Sequence, residues 1–344
     1  MNSLIDTAIQ HLASLRALRP RALPGTLALA LASICGCDQG EEAPELSERS
    51  WLYYTDCSNW RCGYNTSEIN GKSLQELHLG GLANADGVKL VGFLPPTGLL
   101  LKWKLGVEGD ALVARGGLFG NATLRGPQLI GSIMLLKVGL LTVPVIIAGY
   151  DEVESWASNG EPVAAYSLIY ADLKQPLLKR SVCKGTLLDP LEAAVVVLAG
   201  ERYDLESKTV ISDQQGWITL ACAGSAAAKM ALLGYGPHAE FDDGSAPASV
   251  EQRQATLKMI TADYCGGGNS YTTDGMPLVW ENQSGAVTPD ATLPLGPLEA
   301  IWTANGAACL NTPRAVDRSE VTCSLPTCSA FSLDNGEWAS YVLE

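Results

Sequence analysis

Apolar positions in this chain fall mostly in short runs cut by glycine, proline and Asn-Gly or Asp-Gly pairs, a rhythm of short strands more than of long helices. LLKWKLGV from Leu99, ALVARGGLFGNATLRG after it, PVAAYSLIY at 162–170, LEAAVVVLA at 191–199 and GWITLAC at 216–222 each read as strand-length pieces. The period changes at AGSAAAKMALLGYG, 223–236, whose alanines, Lys229, Met230 and Leu233 suit a short helix ended by Gly234. A second helix is predicted over Val250 to Ala262, with Ser249 as its cap and Gln252 as the capping-box partner. SLQELHLG at 73–80 reads as the end of a short helix. Turns are expected at Asn70-Gly71, at NADG (84–87) and, as a hairpin, at Asp274-Gly275. The expected fold is mainly β with short helices, a β-rich α+β body.

Two longer apolar stretches need a separate reading. Arg16, Arg19 and Arg21 precede a charge-free run from Ala22 to Cys37, followed by the acidic DQGEEAPELSERS. A basic flank, a short apolar segment and small residues before a cut make an export signal, too short to span a bilayer comfortably. Ile34-Cys35-Gly36-Cys37 resembles a lipobox, so residues 1–37 are expected to leave an acylated Cys37 that anchors the chain to a membrane. Residues 38–50 then read as an acidic tether. The second stretch, QLIGSIMLLKVGLLTVPVIIAG at 128–149, carries Lys137 in its middle and is broken by glycine, proline and β-branched residues, so it reads as buried strands or a hairpin. The rest divides into a β-rich region, 51–160, and a region 161–344 expected to pack against it.

Composition narrows the compartment and the partners. The 344 residues carry a formal charge of −14, which becomes −16 once residues 1–36, holding Arg16, Arg19, Arg21 and Asp6, are removed. Such a chain is repelled by phosphate backbones, which argues against nucleic acid as a partner. Ten cysteines are present. Beyond Cys35 and Cys37 there remain Cys57, Cys62, Cys183, Cys222, Cys265, Cys309, Cys323 and Cys328, an even set fitting disulfides in an exported body and leaving 105 full pairings open. Cys57 with Cys62, and Cys323 with Cys328, are close enough in sequence to pair locally. Zinc is disfavoured, because His78 and His238 lie away from both close pairs.

Candidate chemistry concentrates in ITADYCGGGNSYTTDG, 260–275. As a nucleophile Cys265 would sit at a helix C-terminal end, where nothing lowers its pKa, with His238 as the available base. As a calcium loop, Asp263, Asn269, Asp274 and Glu281 are irregularly spaced, though calcium needs only several oxygens on a flexible loop. The reading favoured by the residues is a structural disulfide at Cys265 and no resident cofactor. The weak alternative site comprises Asp263, Cys265, Asp274, Glu281 and His238. The chain has no GxSxG, HExxH, GxGxxG or CxxC motif.

ADYCGGGNSYTTDG resembles the signature of the ADYC domain, an uncharacterised family of myxobacterial-type secreted proteins and lipoproteins. CGYNTSEING at 62–71, GWITLACAGSAAAKMALLGYGPH at 216–238 and WTANGAACL at 302–310 resemble further elements of the same family. In the family pattern a cysteine commonly follows the lysine where this chain has Met230, and another stands near Ala255-Thr256; their joint absence implies one staple fewer. The resemblance implies no assigned activity. The expected role is therefore that of an envelope or surface binding or structural protein with a protein or glycan partner, with an extracellular hydrolase acting on glycans or peptides as the alternative.

Overall fold

The first described pairing lies at a predicted turn. β1 (Glu68–Ile69) and β2 (Lys72–Ser73) flank Asn70-Gly71, both at positive φ (50° and 78°), as a tight two-residue hairpin requires. The computed structural model describes residues 66–97, 102–172, 178–183, 194–273, 276, 278–289 and 295–343. The expected leader and tether, Cys37, Cys57, Cys62 and Asp274 lie outside the described residues.

Next along the chain come β3 (Glu76–His78) and β4 (Lys89–Leu94), then β5 (Lys104–Glu108), β6 (Ala111–Gly116) and β7 (Ala122–Arg125). After these follow β8 (Ile133–Val138), β9 (Leu141–Val153), β10 (Val163–Ala171), β11 (Lys179–Ser181), β12 (Ala194–Ala199), β13 (Arg202–Asp204), β14 (Thr209–Ile211) and β15 (Trp217–Cys222). An eight-stranded antiparallel sheet runs β3-β15-β12-β10-β9-β8-β4, with β11 added on β10. β5, β6 and β7 form a separate three-stranded sheet. The 128–149 stretch is the β8–β9 hairpin, and among the described residues no helix is long and apolar enough to cross a membrane.

SLQELHLG corrects the helix expectation. Leu77 is fully buried, and Glu76 to His78 pair with Trp217 to Thr219 on β15. The partner strand lies far along the chain, so no local pattern announces it.

Alternation on the strands separates two cores. Val143, Val145 and Ile147 of β9, Tyr166 and Leu168 of β10, Val195 and Val197 of β12, and Ile218 and Leu220 of β15 face one cluster. That cluster also takes Leu77 of β3 and Leu90 and Phe93 of β4, so the sheet curls until its edge strands approach each other across one core. Asn84 bridges this seam, donating from Nδ2 to the carbonyls of Ser73 (2.9 Å) and Glu76 (3.0 Å). Leu105, Leu112 and Ala114 of the three-stranded sheet join the same cluster. The opposite faces of β12 and β15, with Val196, Leu198 and Ala221, meet the helices instead. β12 is buried at every position because both of its faces are covered.

Helix α1 (Ala226–Met230) is capped by Ser225 and ends in a turn where Gly234 takes φ 81°. Helix α2 (Val250–Thr261) begins with the predicted Ser249–Gln252 capping box. The two helices pack together, and Met230 and Ala255, where the resemblance implies cysteines in relatives, both lie in this second apolar cluster. Beyond them β16 (Leu278–Asn282), β17 (Leu295–Thr303), β18 (Gly306–Leu310) and β19 (Trp338–Leu343) make a four-stranded antiparallel sheet in the order β16-β19-β17-β18. Disulfides join Cys183 to Cys222, Cys265 to Cys323 and Cys309 to Cys328. Cys323 and Cys328 therefore pair with distant partners and not with each other, because Cys328 is drawn to β18 and Cys323 to the end of α2. Three such bonds are the mark of an oxidising, extracytoplasmic compartment.

Candidate functional site

The signature begins where α2 stops. Ala262 takes a left-handed conformation (φ 49°), its N–H bonds the Met259 carbonyl (3.1 Å), and the Asp263 N–H bonds that of Lys258 (2.9 Å). This is the paired C-terminal closure usually made by glycine; here the alanine methyl is wholly buried. Lys258 holds the same turn with its side chain, donating from Nζ to Asp263 Oδ2 (2.7 Å), the Ser207 carbonyl (3.0 Å) and the Gly266 carbonyl (3.1 Å). Asp263 Oδ2 also accepts the Gly268 N–H at 2.8 Å, while Oδ1 is buried without a donor among the described residues.

Tyr264 points into the second core, stacked on Trp302 at 5.2 Å between ring centroids. Its hydroxyl donates to Glu299 Oε1 (2.5 Å) and accepts the Arg314 N–H (3.1 Å). Burial first, and then the Glu299 charge, push the phenol pKa well up, so it serves as a neutral donor. Arg314 closes the arrangement with two parallel bonds to Glu299, each 2.8 Å, and Ser340 Oγ donates to Glu299 Oε2 at 2.7 Å. The Trp302 indole N–H in turn reaches Ser340 Oγ at 2.7 Å.

The three glycines after Cys265 divide by need. A methyl on Gly266 would lie 2.1 Å from the Asn305 carbonyl oxygen, and one on Gly268 would lie 2.2 Å from that of Glu206; both residues also have positive φ. Gly267 faces open space. The turn is therefore pressed against the β17–β18 hairpin on one side and the β13–β14 connection on the other. The Ala307 N–H bonding the Tyr264 carbonyl (2.9 Å) completes the interlock.

The residues weighed as a site part company. Asp263 and Cys265 are adjacent, but the first is ion-paired with Lys258 and the second is bonded to Cys323, with its sulfur 3.7 Å from Thr322 Oγ1. Glu281 lies on β16 and accepts the Tyr341 hydroxyl at 2.5 Å. His238 lies beside the β5–β6 turn, where its backbone N–H bonds Asp110. Among the described residues no three His, Cys, Asp or Glu side chains converge as a metal site would need. A cavity of about 120 Å³ beside Cys323, lined by Leu310, Arg318, Val321, Ser324 and Leu325, is smaller than ligand pockets usually are.

Sequence reasoning did not single out Lys258, Glu299, Arg314 or Ser340, nor a second buried group. In that group Glu201 accepts Arg253 Nε (2.8 Å) and the Tyr203 hydroxyl (2.5 Å). Nearby, Asp110 at the β5–β6 turn accepts the N–H groups of Ala199 (2.8 Å) and His238 (3.0 Å). Burial raises the Asp110 pKa to about 6 against the lowering effect of those two bonds. No local pattern marks such residues; the one available signal was the placement of cations on a helix otherwise rich in core residues.

No curated protein and no solved structure matches the chain. Comparison with protein families matches residues 126–316 to the ADYC domain. That span holds both helices, the Ala262-Asp263-Tyr264-Cys265 turn and the Trp302 hairpin against which it locks, and the chain belongs to the ADYC domain family.

Proposed function

We propose that this protein is a lipid-anchored binding or structural component of the cell envelope, held through acylated Cys37 and the 38–50 tether, with a protein or glycan as its partner. One observation carries the reading: the reactive groups of the family signature are engaged in building the body. Cys265 is one half of a disulfide, Asp263 neutralises buried Lys258, and Tyr264 joins the Glu299–Arg314 pair. A nucleophile or general acid needs a free, reachable atom beside a substrate space, and the small cavity next to Cys323 offers little of either.

The test is peptide-level mass spectrometry on protein extracted from its own membranes, with thiols alkylated before reduction. Expected are an acylated Cys37 as the first residue and linked peptides joining Cys265 to Cys323. Cys265 recovered alkylated would overturn the scaffold role and direct attention to thiol-dependent hydrolysis. An unmodified amino terminus beyond residue 37 would remove the anchor.

A further inference from the structure

The β8–β9 hairpin ends in Gly139-Leu140-Leu141, where Leu140 is 96% and Leu141 52% exposed. Leu140 is the most exposed of the large apolar residues found on the surface. Isolated surface leucines are ordinary, but this tip has specific neighbours. Lys137 on β8 stands directly opposite Lys89 on β4, and Lys137 also pairs in register with Thr142, next to the tip. Like charges facing across neighbouring strands cost stability. Neither lysine has an ion-pair partner among the described residues. The nearest acid along the chain from Lys89, Asp86, accepts the Ser73 N–H. A two-lysine rim around an apolar tip, on a chain of net charge −14, is a local reversal that calls for an anionic and partly apolar partner.

The β6–β7 tip differs in where its cations stand. Leu118 and Phe119 are 72% and 84% exposed there, and Arg115 and Arg125 on the two strands of that tip are both bound to Glu108, at 2.7 and 2.6 Å. The exposed lysines nearest to it, Lys102 and Lys104, stand just before and at the start of β5, not on the two strands that form the tip.

We propose that the β8–β9 tip is a second membrane contact, with Leu140 and Leu141 entering the headgroup boundary of a bilayer while Lys89 and Lys137 meet anionic phospholipid headgroups. Shallow insertion of an apolar turn combined with lysine attraction to anionic lipid is how peripheral surfaces usually hold a bilayer. The inference rests on the proposed Cys37 anchor to bring the body to a membrane. Fully extended, the 13-residue tether reaches about 45 Å, enough to let the body turn this end toward the surface.

The experiment uses the full chain carrying Leu140→Cys, purified from membranes, nitroxide-labelled at that residue and reconstituted into phosphatidylethanolamine–phosphatidylglycerol vesicles. Because Leu140 is almost wholly exposed, the substitution leaves the core intact. The expected result is a label shielded from aqueous nickel chelate and open to oxygen, with a Leu118→Cys label remaining in water. Lys89→Glu with Lys137→Glu should return the Leu140→Cys label to water. In unanchored protein the same charge change should lower vesicle partitioning by at least thirtyfold, from the several-fold usual for each surface lysine. A label at 140 that stays in water on protein that does co-float with the vesicles overturns the tip contact while leaving the anchor standing. Protein that does not co-float at all defeats the anchor reading, and vesicle sedimentation of the soluble chain then decides the tip by itself. A label shielded without vesicles, in proportion to protein concentration, would assign the tip to contact between copies and refute the lipid proposal.

Discussion

Arg314→Met is the sharpest probe of the signature node. The wild-type guanidinium side chain is 2% exposed and makes both of its strong bonds to Glu299, which is itself fully buried. Methionine replaces much of the volume and none of the charge, so Glu299 would keep only the Tyr264 and Ser340 hydroxyls as donors. Breaking a buried pair in this one-sided way costs about 3–5 kcal/mol, a large share of a domain's stability. Removing both partners, as in Arg314→Met with Glu299→Leu, should recover most of that loss, because an apolar pair of similar volume is often neutral. Urea unfolding followed by tryptophan fluorescence, with disulfides intact, measures each quantity. A deficit below about 1 kcal/mol at pH 7, or a double variant as unstable as the single one, would refute the claim that Glu299 depends on Arg314 in a dry site.

The other expectations are simpler to state. Gly267→Ala should fold with near-normal stability, whereas Gly266→Ala and Gly268→Ala should each lose more than about 3 kcal/mol, since their methyls meet backbone oxygens at positive φ; thermal melts of the three variants decide it, and equal losses would mean that the turn is not gripped from two sides. Asp110, raised to about 6, should add stability below about pH 4 that fades as pH rises through 6, on the order of 3 kcal/mol. Asp110→Asn should flatten that part of the stability–pH curve, and an unchanged curve would count against its burial. Replacing Cys265 and Cys323 together by alanine should remove about 4 kcal/mol, the chain-entropy value for a separation of 58 residues, as read by urea midpoint; no shift would show that the bond does not form.

What was legible in the sequence were features set by neighbours along the chain. The β8–β9 hairpin follows from turn residues and β-branched runs, the start of α2 from Ser249 and Gln252, and the end of the α1 segment from Gly234. β3 was not legible because its strand character comes from pairing with Trp217 to Thr219 and from burial of Leu77. Cysteine pairing was not legible either. Spacing permits Cys323 to pair with Cys328, but the backbone carries Cys328 to β18 and Cys323 to the ADYC turn. The role of Lys258 was hidden for a related reason: lysine on a helix ordinarily marks the solvent side. Here Ala255 to Met259 are buried without interruption, so this helix has no solvent face along that turn.

A helix turn covered on every side raises a problem that apolar packing alone does not solve. Alanine, leucine and methionine on α2 would tolerate small rotations or slides against β17 and α1 at little cost, because such contacts are non-directional. Directional bonds fix the setting. Arg253 ties the first turns to Glu201 after β12, Lys258 ties the last turn to Asp263 and to Ser207, and Trp338 reaches Thr256 Oγ1 at 2.8 Å from the terminal strand. Buried ion pairs are poor net stabilisers, since desolvation offsets most of their attraction. Their use here is better explained by position: each bond is satisfied at one rotation and one height of α2. That setting determines where Cys265 emerges, and so whether it meets Cys323, and it sets Tyr264 against Trp302 and the β17–β18 hairpin. The Ala-Asp-Tyr-Cys turn thus combines a helix end, a counter-ion, a core anchor and a disulfide in four consecutive residues, each dependent on the register of the same helix.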